Sequence, residues 1–354
     1  MNIAVLVSGG VDSAVALRLV QEAGHTVTAF YLKIWLEDEL SYLGRCPWQE
    51  DLKFVEHICK QANVPLQVLS LQKEYHEVVV AYTLAQARLG NTPNPDIFCN
   101  THIKFGFFMD KIEHEFDVVA TGHYAQTEIN SDGRVSLLLS ADVMKDQTYF
   151  LSYLTQRQLQ KAVFPIGQFT KTKVREHAQR YNLLNKNRKD SQGICFLGTI
   201  KFKDFLKHHL GVKKGFFVEY ESGKKVGEHE GAWFYTIGQR QGIGLSGGPW
   251  YVVAKDIAEH IVYISSCYSK IQKNKNEFLA VSCNWIEQMP PPPGRYAIKL
   301  RHGSAYNSAQ ITIINDCMIE VQLDSEDQGI ASGQFVVIYR ENRCLGAGII
   351  QHIT

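Results

Sequence analysis

The chain has almost no excess of either charge: 37 Lys and Arg stand against 36 Asp and Glu in 354 residues, a formal net charge of +1. A molecule-wide field that attracts nucleic acid is thereby excluded, so any RNA binding must come from local basic patches. Paired cysteines are missing too. The eight, at positions 46, 59, 99, 195, 267, 283, 317 and 344, include no C-x-x-C. This argues against a zinc ribbon and a thioredoxin-type redox motif, and no metal site is predicted. Such wide spacing in a long chain is not a secreted disulfide scaffold either, so a reducing, cytoplasmic setting is expected. The start, MNIAVLVSGG, lacks the basic and apolar regions of a signal peptide. No apolar run is long enough to span a membrane, and no membrane partner is expected. The remaining composition, 45% hydrophobic and 21% charged, is that of a soluble globular protein. The length suits two or three domains.

The first half alternates strands and helices. Ile3 to Val7 is a continuous apolar run, as a strand buried on both faces requires. Residues 14–21 read as a helix, and 26–32, β-branched and aromatic, as a second strand. Residues 49–61 carry Leu52, Val55, Ile58 and Cys59 at helical spacing. Strands at 66–71 and 117–120 follow, the latter ending at Thr121-Gly122-His123. This order predicts the α/β class, with a doubly wound parallel sheet. The pattern changes after about Gly198. GFFVEY, GAWFYTIGQRQGIG, PWYVVAKD and HIVYISS suggest a small central all-β or mixed domain. From Glu277 onward, RYAIKLR, AQITIIN, CMIEVQL, QFVVIYR and CLGAGIIQ suggest a C-terminal β-barrel. The expected domains are 1–200, 201–272 and 273–354.

Ser8-Gly9-Gly10-Val11-Asp12-Ser13 joins the first strand to the first helix. Two glycines let backbone N–H groups approach an anion, and the helix N-terminus adds unpaired donors. Ser8 and Ser13 can donate hydroxyls to phosphate, and Asp12 can meet Mg²⁺ or the loop itself. No Walker lysine is present, which points away from transfer of the terminal phosphate. The plain alternative is a glycine turn that merely joins strand to helix.

Asn94-Pro95-Asp96-Ile97-Phe98-Cys99-Asn100 is the second informative stretch. Pro93 and Pro95 stiffen it, and Asn100 or Thr101 could cap a helix starting near His102. Cys99 then lies near a helix N-terminus, where a thiol is activated. Asp96 could act as general acid or base. Cys195 lies between Gly193 and Gly198. Each cysteine could equally be a small buried hydrophobe.

These blocks together carry a resemblance. SGGVDS resembles the signature of the PP-loop ATP pyrophosphatase superfamily. TPNPDIFCN, ATGHYA, KDQTYFL, SQGICFLG, YTIGQRQGIG and CLGAGII resemble, in order, those of the bacterial tRNA 2-thiouridylase family. The similarity runs from residue 8 to about residue 350; Ala14 departs from it, where a second serine is expected.

The resemblance implies ATP with Mg²⁺ as cofactor, cleaved between its α- and β-phosphates. The nucleotide would be held by Leu6, Val7, Ser8, Gly9, Gly10, Val11, Asp12, Ser13, Leu32 and Gly122. It implies tRNA as partner, adenylated on the oxygen at carbon 2 of the wobble uridine. A persulfide donor protein, either a cysteine desulfurase or a sulfur relay protein, would load Cys195. Cys99 would be the catalytic nucleophile, and the two cysteines would finish as a disulfide. Asn94, Pro95 and Asp96 would receive the target base; His123, Lys145, Asp146, Gln147, Arg301, His302 and Gln334 would touch tRNA. Two further basic clusters, 171–175 and 186–189, read first as solvated faces and only second as RNA contacts.

Three other readings stay open. One is another PP-loop adenylating synthetase without sulfur transfer. A second is an RNA-binding module with a dead nucleotide site. The third is an iron–sulfur variant on Cys99 and Cys195, which no cluster-type cysteine spacing supports.

Overall fold

The structure, a computed structural model, describes residues 1–34, 48–190, 200–267, 276–327 and 330–351. In chain order the first strands are β1 (Asn2–Leu6), β2 (Thr26–Lys33), β3 (Leu66–Ser70) and β4 (Val118–Ala120). The hairpin β5 (Gln126–Ile129) and β6 (Val135–Leu138) follows, then β7 (Ala162–Val163). A five-stranded sheet takes the order β3-β2-β1-β4-β7, parallel throughout. It is the doubly wound sheet predicted from the sequence. Alternation along β1 shows why. Ile3, Val5 and Val7 enter one core with Val11, Ala14 and Val15 of helix α1 (Val11–Glu22). Ala4 and Leu6 enter another, with Cys99, Ile103, Phe105 and Phe108 from the helical segment on the opposite face. A strand buried on both faces has no polar side to show, hence its unbroken apolar run.

That opposite-face segment corrects one expectation. It starts at Pro95, not near His102, because Asn94 is the cap and its Oδ1 accepts the Ile97 N–H at 3.4 Å. Proline is suited to the first helical position, where its missing N–H is not needed. The helix then widens into a π-helical stretch, Cys99–Phe107. Cys99 therefore sits in the second turn rather than ahead of the helix.

The central sheet has four strands, β8 (Gly215–Glu219), β9 (Lys225–His229), β10 (Tyr251–Asp256) and β11 (Ile261–Ser265), in the order β10-β11-β8-β9. GAWFYTIGQRQGIG is not a strand. It is a short 3₁₀ turn, Ala232–Phe234, followed by loops in which Gly238, Gly242 and Gly244 all take positive φ. His229 is buried here, and burial pushes its imidazole below the ordinary histidine range. The folded state thus binds that proton less readily than the unfolded chain. Stability should be full above pH ~6.5, the unfolded value, and fall as pH drops through it. Urea midpoints at pH 7.5 and 5.5 check this, and the loss should shrink in His229→Gln.

Six strands close the C-terminal barrel: β12 (Glu277–Trp285), β13 (Gly294–Lys299), β14 (Asn307–Asn315), β15 (Met318–Leu323), β16 (Phe335–Arg340) and β17 (Arg343–Gln351). They run β12-β15-β14-β13-β16-β17, all antiparallel, and β17 returns to pair with β12. Strand β17 also pairs with β6, so the β5–β6 hairpin of the first half extends the barrel sheet. No local sequence signal marks this join. Phe335, Val337, Tyr339 and Cys344 of the barrel share one core with Cys99, Leu137 and Tyr149. Such an apolar seam ties the barrel firmly to the parallel-sheet domain.

Candidate nucleotide and RNA-base site

The nucleotide loop sits at the C-terminal edge of the parallel sheet, where doubly wound folds bind ligands, and the second cluster belongs to the helical segment packed on the face opposite α1. The nucleotide loop comes first. Gly9 takes φ +78°, and a Cβ there would lie 2.9 Å from the Asp51 carbonyl oxygen. Glycine is required on both counts. The Gly9 carbonyl is pinned by Asn185 Nδ2 at 2.8 Å and Arg188 Nη1 at 3.1 Å. Ser13 Oγ accepts the Ser8 N–H at 3.1 Å, lies 3.4 Å from Ser8 Oγ and donates to the Gly10 carbonyl at 3.1 Å. The loop is thus shaped before any ligand arrives, with the first-turn N–H groups of α1 facing its mouth.

Gly122 lies flat against this turn, where a Cβ would come within 2.6 Å of the Ser13 nitrogen. Leu6 and Val7 are buried beneath the loop, and Leu32, at the end of β2, is partly buried. Val11 is buried as the first residue of α1.

Asp12 is held on two sides. Tyr124 donates its hydroxyl to Oδ1 at 3.0 Å, and Lys171 reaches Oδ1 at 2.8 Å and Oδ2 at 2.9 Å. Lys171 also meets Asp190 at 2.6 Å, alongside Lys145 at 2.7 Å and Arg175 at 3.0 Å. Burial works against ionised Asp190, but the hydrogen bonds and charges of Lys145 and Lys171 outweigh it and hold the carboxyl down to about 2. Sequence reasoning missed Lys171, Arg175 and Asp190. The signal was present: Lys171 and Arg175 are four residues apart and so share one helix face.

Among the described residues no group of three His, Cys, Asp or Glu side chains could hold a metal. With Asp12 engaged by Lys171, a Mg²⁺ ion here would be held chiefly by substrate phosphates.

The second cluster surrounds the Asn94 cap. Pro95 is buried, while Asn94 and Asp96 are partly exposed. Cys99 has no exposed surface. The Phe98 ring stacks on Tyr82 at 4.0 Å and meets Phe335 at 6.1 Å. Asn100 donates to the Phe150 carbonyl at 3.1 Å and accepts from Lys104 at 2.9 Å.

Barrel residues reach the same place. His302 stacks on Phe150 at 4.7 Å, with its Nε2 3.1 Å from the Asp146 carbonyl oxygen. Gln334 immediately precedes Phe335 and is partly exposed. Gln147 accepts the Tyr124 N–H at 3.0 Å and so joins the two clusters. His123 Nδ1 is 2.8 Å from Thr121 Oγ1, and its ring lies near Phe105 and Phe164. Burial, with Lys104 second, holds its imidazole well below the usual range, so it is neutral near pH 7.

Asp146 differs from its neighbours in being buried. Its carboxylate accepts the Ser140 N–H at 3.0 Å and the Thr148 hydroxyl at 2.7 Å, and pairs with fully buried Lys299 at 3.4 Å. Lys145 pairs with Asp190 at 2.7 Å and stays partly exposed. Arg301 is exposed and only loosely tied to Asp327 at 3.2 Å. Cys195 lies outside the described residues, so its distance from Cys99 is not part of this geometry.

Comparison with known proteins adds the family. The model described as tRNA methyl transferase HUP domain matches residues 1–199. A tRNA methyl transferase PRC-barrel model matches 203–266, and an aminomethyltransferase beta-barrel model 275–350. The tRNA-specific 2-thiouridylase MnmA of Parabacteroides distasonis is 43% identical, with 99% of each chain aligned. MnmA 1 of Bacteroides thetaiotaomicron is 43% identical, and MnmA of Porphyromonas gingivalis 41%, again over 99% of each chain. The chain belongs to the tRNA-specific 2-thiouridylase family.

The expectation that exposed Arg301 touches tRNA has a measurable consequence. Arg301→Ala should flatten the salt dependence of tRNA affinity by about one phosphate contact, a slope change of roughly 0.7–0.9 in log–log terms. Filter binding across a salt series reads that slope directly.

Proposed function

We propose that the protein replaces the oxygen on carbon 2 of the wobble uridine of tRNA with sulfur, using ATP. The observation that carries this reading is 43% identity to a named 2-thiouridylase over 99% of both chains. A phosphate-type loop at the end of β1, with a cysteine buried against the other face of that strand, supports it. A urea-like carbonyl is a poor electrophile until its oxygen becomes a good leaving group. The oxygen attacks the α-phosphorus of ATP, and pyrophosphate departs. Sulfur then attacks carbon 2, and AMP leaves with the former base oxygen.

In this reading Ser8, Gly9, Gly10 and Ser13, with the α1 N-terminus, bind and orient the phosphates. A Mg²⁺ ion would be held by those phosphates and by Asp12, and would supply charge neutralisation. Leu6, Val7, Leu32 and Gly122 shape the nucleotide pocket. Asn94, Pro95 and Asp96 receive the flipped base, because a base stacked in the anticodon loop cannot be reached. His123, Gln147, Arg301, His302 and Gln334 hold the RNA, while Lys145 stands beside Asp190 near the nucleotide loop. Asp146 acts from inside, holding the 145–147 turn.

Cys195 takes sulfur as a persulfide from a donor protein. Once the outer sulfur has bonded to carbon 2, the Cys99 thiolate attacks the Cys195 sulfur. The persulfide S–S bond breaks with its electron pair on the base sulfur, and the two cysteines are left as a disulfide. The divisions 1–200, 201–272 and 273–354 are proposed as the domain limits. The test is nucleotide product analysis. Purified protein with ATP and a persulfide donor should form AMP and pyrophosphate, not ADP, and only with tRNA bearing a wobble uridine. ADP formation, or AMP release indifferent to tRNA, would sink the reading.

A further inference from the structure

The basic cluster at 171–175, read from sequence as a solvated face, points inward at two of its members. Lys171 and Arg175 both reach Asp190, and Lys145 joins them from a separate loop, all between 2.6 and 3.0 Å. Lys171 also neutralises Asp12 in the first turn of α1. The backbones of Lys145 and Lys171 are fixed as well, since Asp142 accepts both N–H groups, at 3.2 and 2.8 Å. Three cations built into position around one carboxylate, beside a helix N-terminus, make an anion seat. The cluster is not sealed: Lys145 retains 41% exposure and Asp190 31%.

We propose that Lys145, Lys171 and Arg175 are the seat for the β- and γ-phosphates of ATP, and hence for the departing pyrophosphate, and that Asp190 occupies it while no nucleotide is bound. This rests on the reading that the chain uses ATP. The chemistry balances simply. The base oxygen bonds to the α-phosphorus, and the bond from that phosphorus to the oxygen bridging to the β-phosphorus breaks. The electron pair leaves on pyrophosphate. The negative charge that grows on the leaving group meets cations already in place, so little reorganisation is required as the bond breaks. Asp190 mimics that anion in the resting protein and competes with it.

Titration calorimetry of the full chain with inorganic pyrophosphate, and separately with AMP, tests the proposal. Lys171→Met and Arg175→Met should each weaken pyrophosphate binding at least tenfold and leave AMP within about twofold. Asp190→Asn should bind pyrophosphate several-fold more tightly, because the resident competitor is neutralised. Lys171→Arg should recover most of the lost affinity. Lys145→Met, at the most exposed of the three positions, gives a variant whose folding is least at risk, and it should lose pyrophosphate affinity in the same direction. Pyrophosphate affinity unchanged in Lys171→Met, or weakened in Asp190→Asn, would overturn the seat. A wild-type chain that binds neither AMP nor ATP would instead refute ATP use, which separates the two failures.

Discussion

Cys99→Ser should abolish 2-thiolation, lowering it on the order of a thousandfold or more, as loss of a catalytic nucleophile does. Binding of tRNA and ATP should stay within a few-fold. A serine hydroxyl stays protonated near neutral pH and cannot replace a thiolate as attacking group. Its size suits the buried site, and within a helix it can donate to the carbonyl four residues back, here that of Pro95. The surrounding turn is fixed independently of the thiol. Asn94 caps it, Phe98 stacks on Tyr82, and Thr101 Oγ1 donates to the Ile97 carbonyl at 2.9 Å. Nucleoside mass spectrometry reads the loss, and filter binding reads the tRNA. Substantial thiolation by this variant would mean that sulfur reaches the base without Cys99.

Asp146→Ala should produce the largest loss of stability, about 3–5 kcal/mol. Asp146 and Lys299 are 1% and 0% exposed, so the substitution leaves a buried ammonium with no carboxylate beside it. The Tyr306 and Tyr339 rings, at 4.4 and 5.4 Å from Lys299 Nζ, offset only part of that loss. The damage should spread beyond stability. Asp146 fixes the turn that carries Lys145 and Gln147, and Gln147 holds the Tyr124 backbone whose hydroxyl bonds Asp12. A double change, Asp146→Leu with Lys299→Met, removes both charges and should recover much of the lost stability. Urea denaturation of the three variants measures this, and equal loss in the single and double changes would show that charge burial is not the cause.

The parallel sheet and the nucleotide loop were legible because their signals are local. An apolar run, a glycine pair and a helix start within 22 residues of the chain. The stretch from Asn94 to Asn100 was legible in outline, but its cap was misplaced. Asn94 and Asn100 are both competent caps, and only the three-dimensional course of the backbone decides between them. Lys171 and Arg175 looked like a solvated face because sequence cannot say what a helix face meets. Their partner Asp190 is 15 residues from Arg175, with nothing in between to signal the pairing. Lys299 lies within an alternating strand pattern, and its counter-ion is 153 residues away. The join of the β5–β6 hairpin to the barrel was missed for the same reason: Leu137 pairs with Cys344, far along the chain.

The most direct test of the whole account is mass spectrometry of nucleosides from unmodified tRNA incubated with this protein, ATP, Mg²⁺ and a persulfide donor. The account predicts 2-thiouridine at the wobble position, formed together with AMP and absent when ATP is withheld. Wobble uridine left unchanged, or thiolated equally well without ATP, would contradict it.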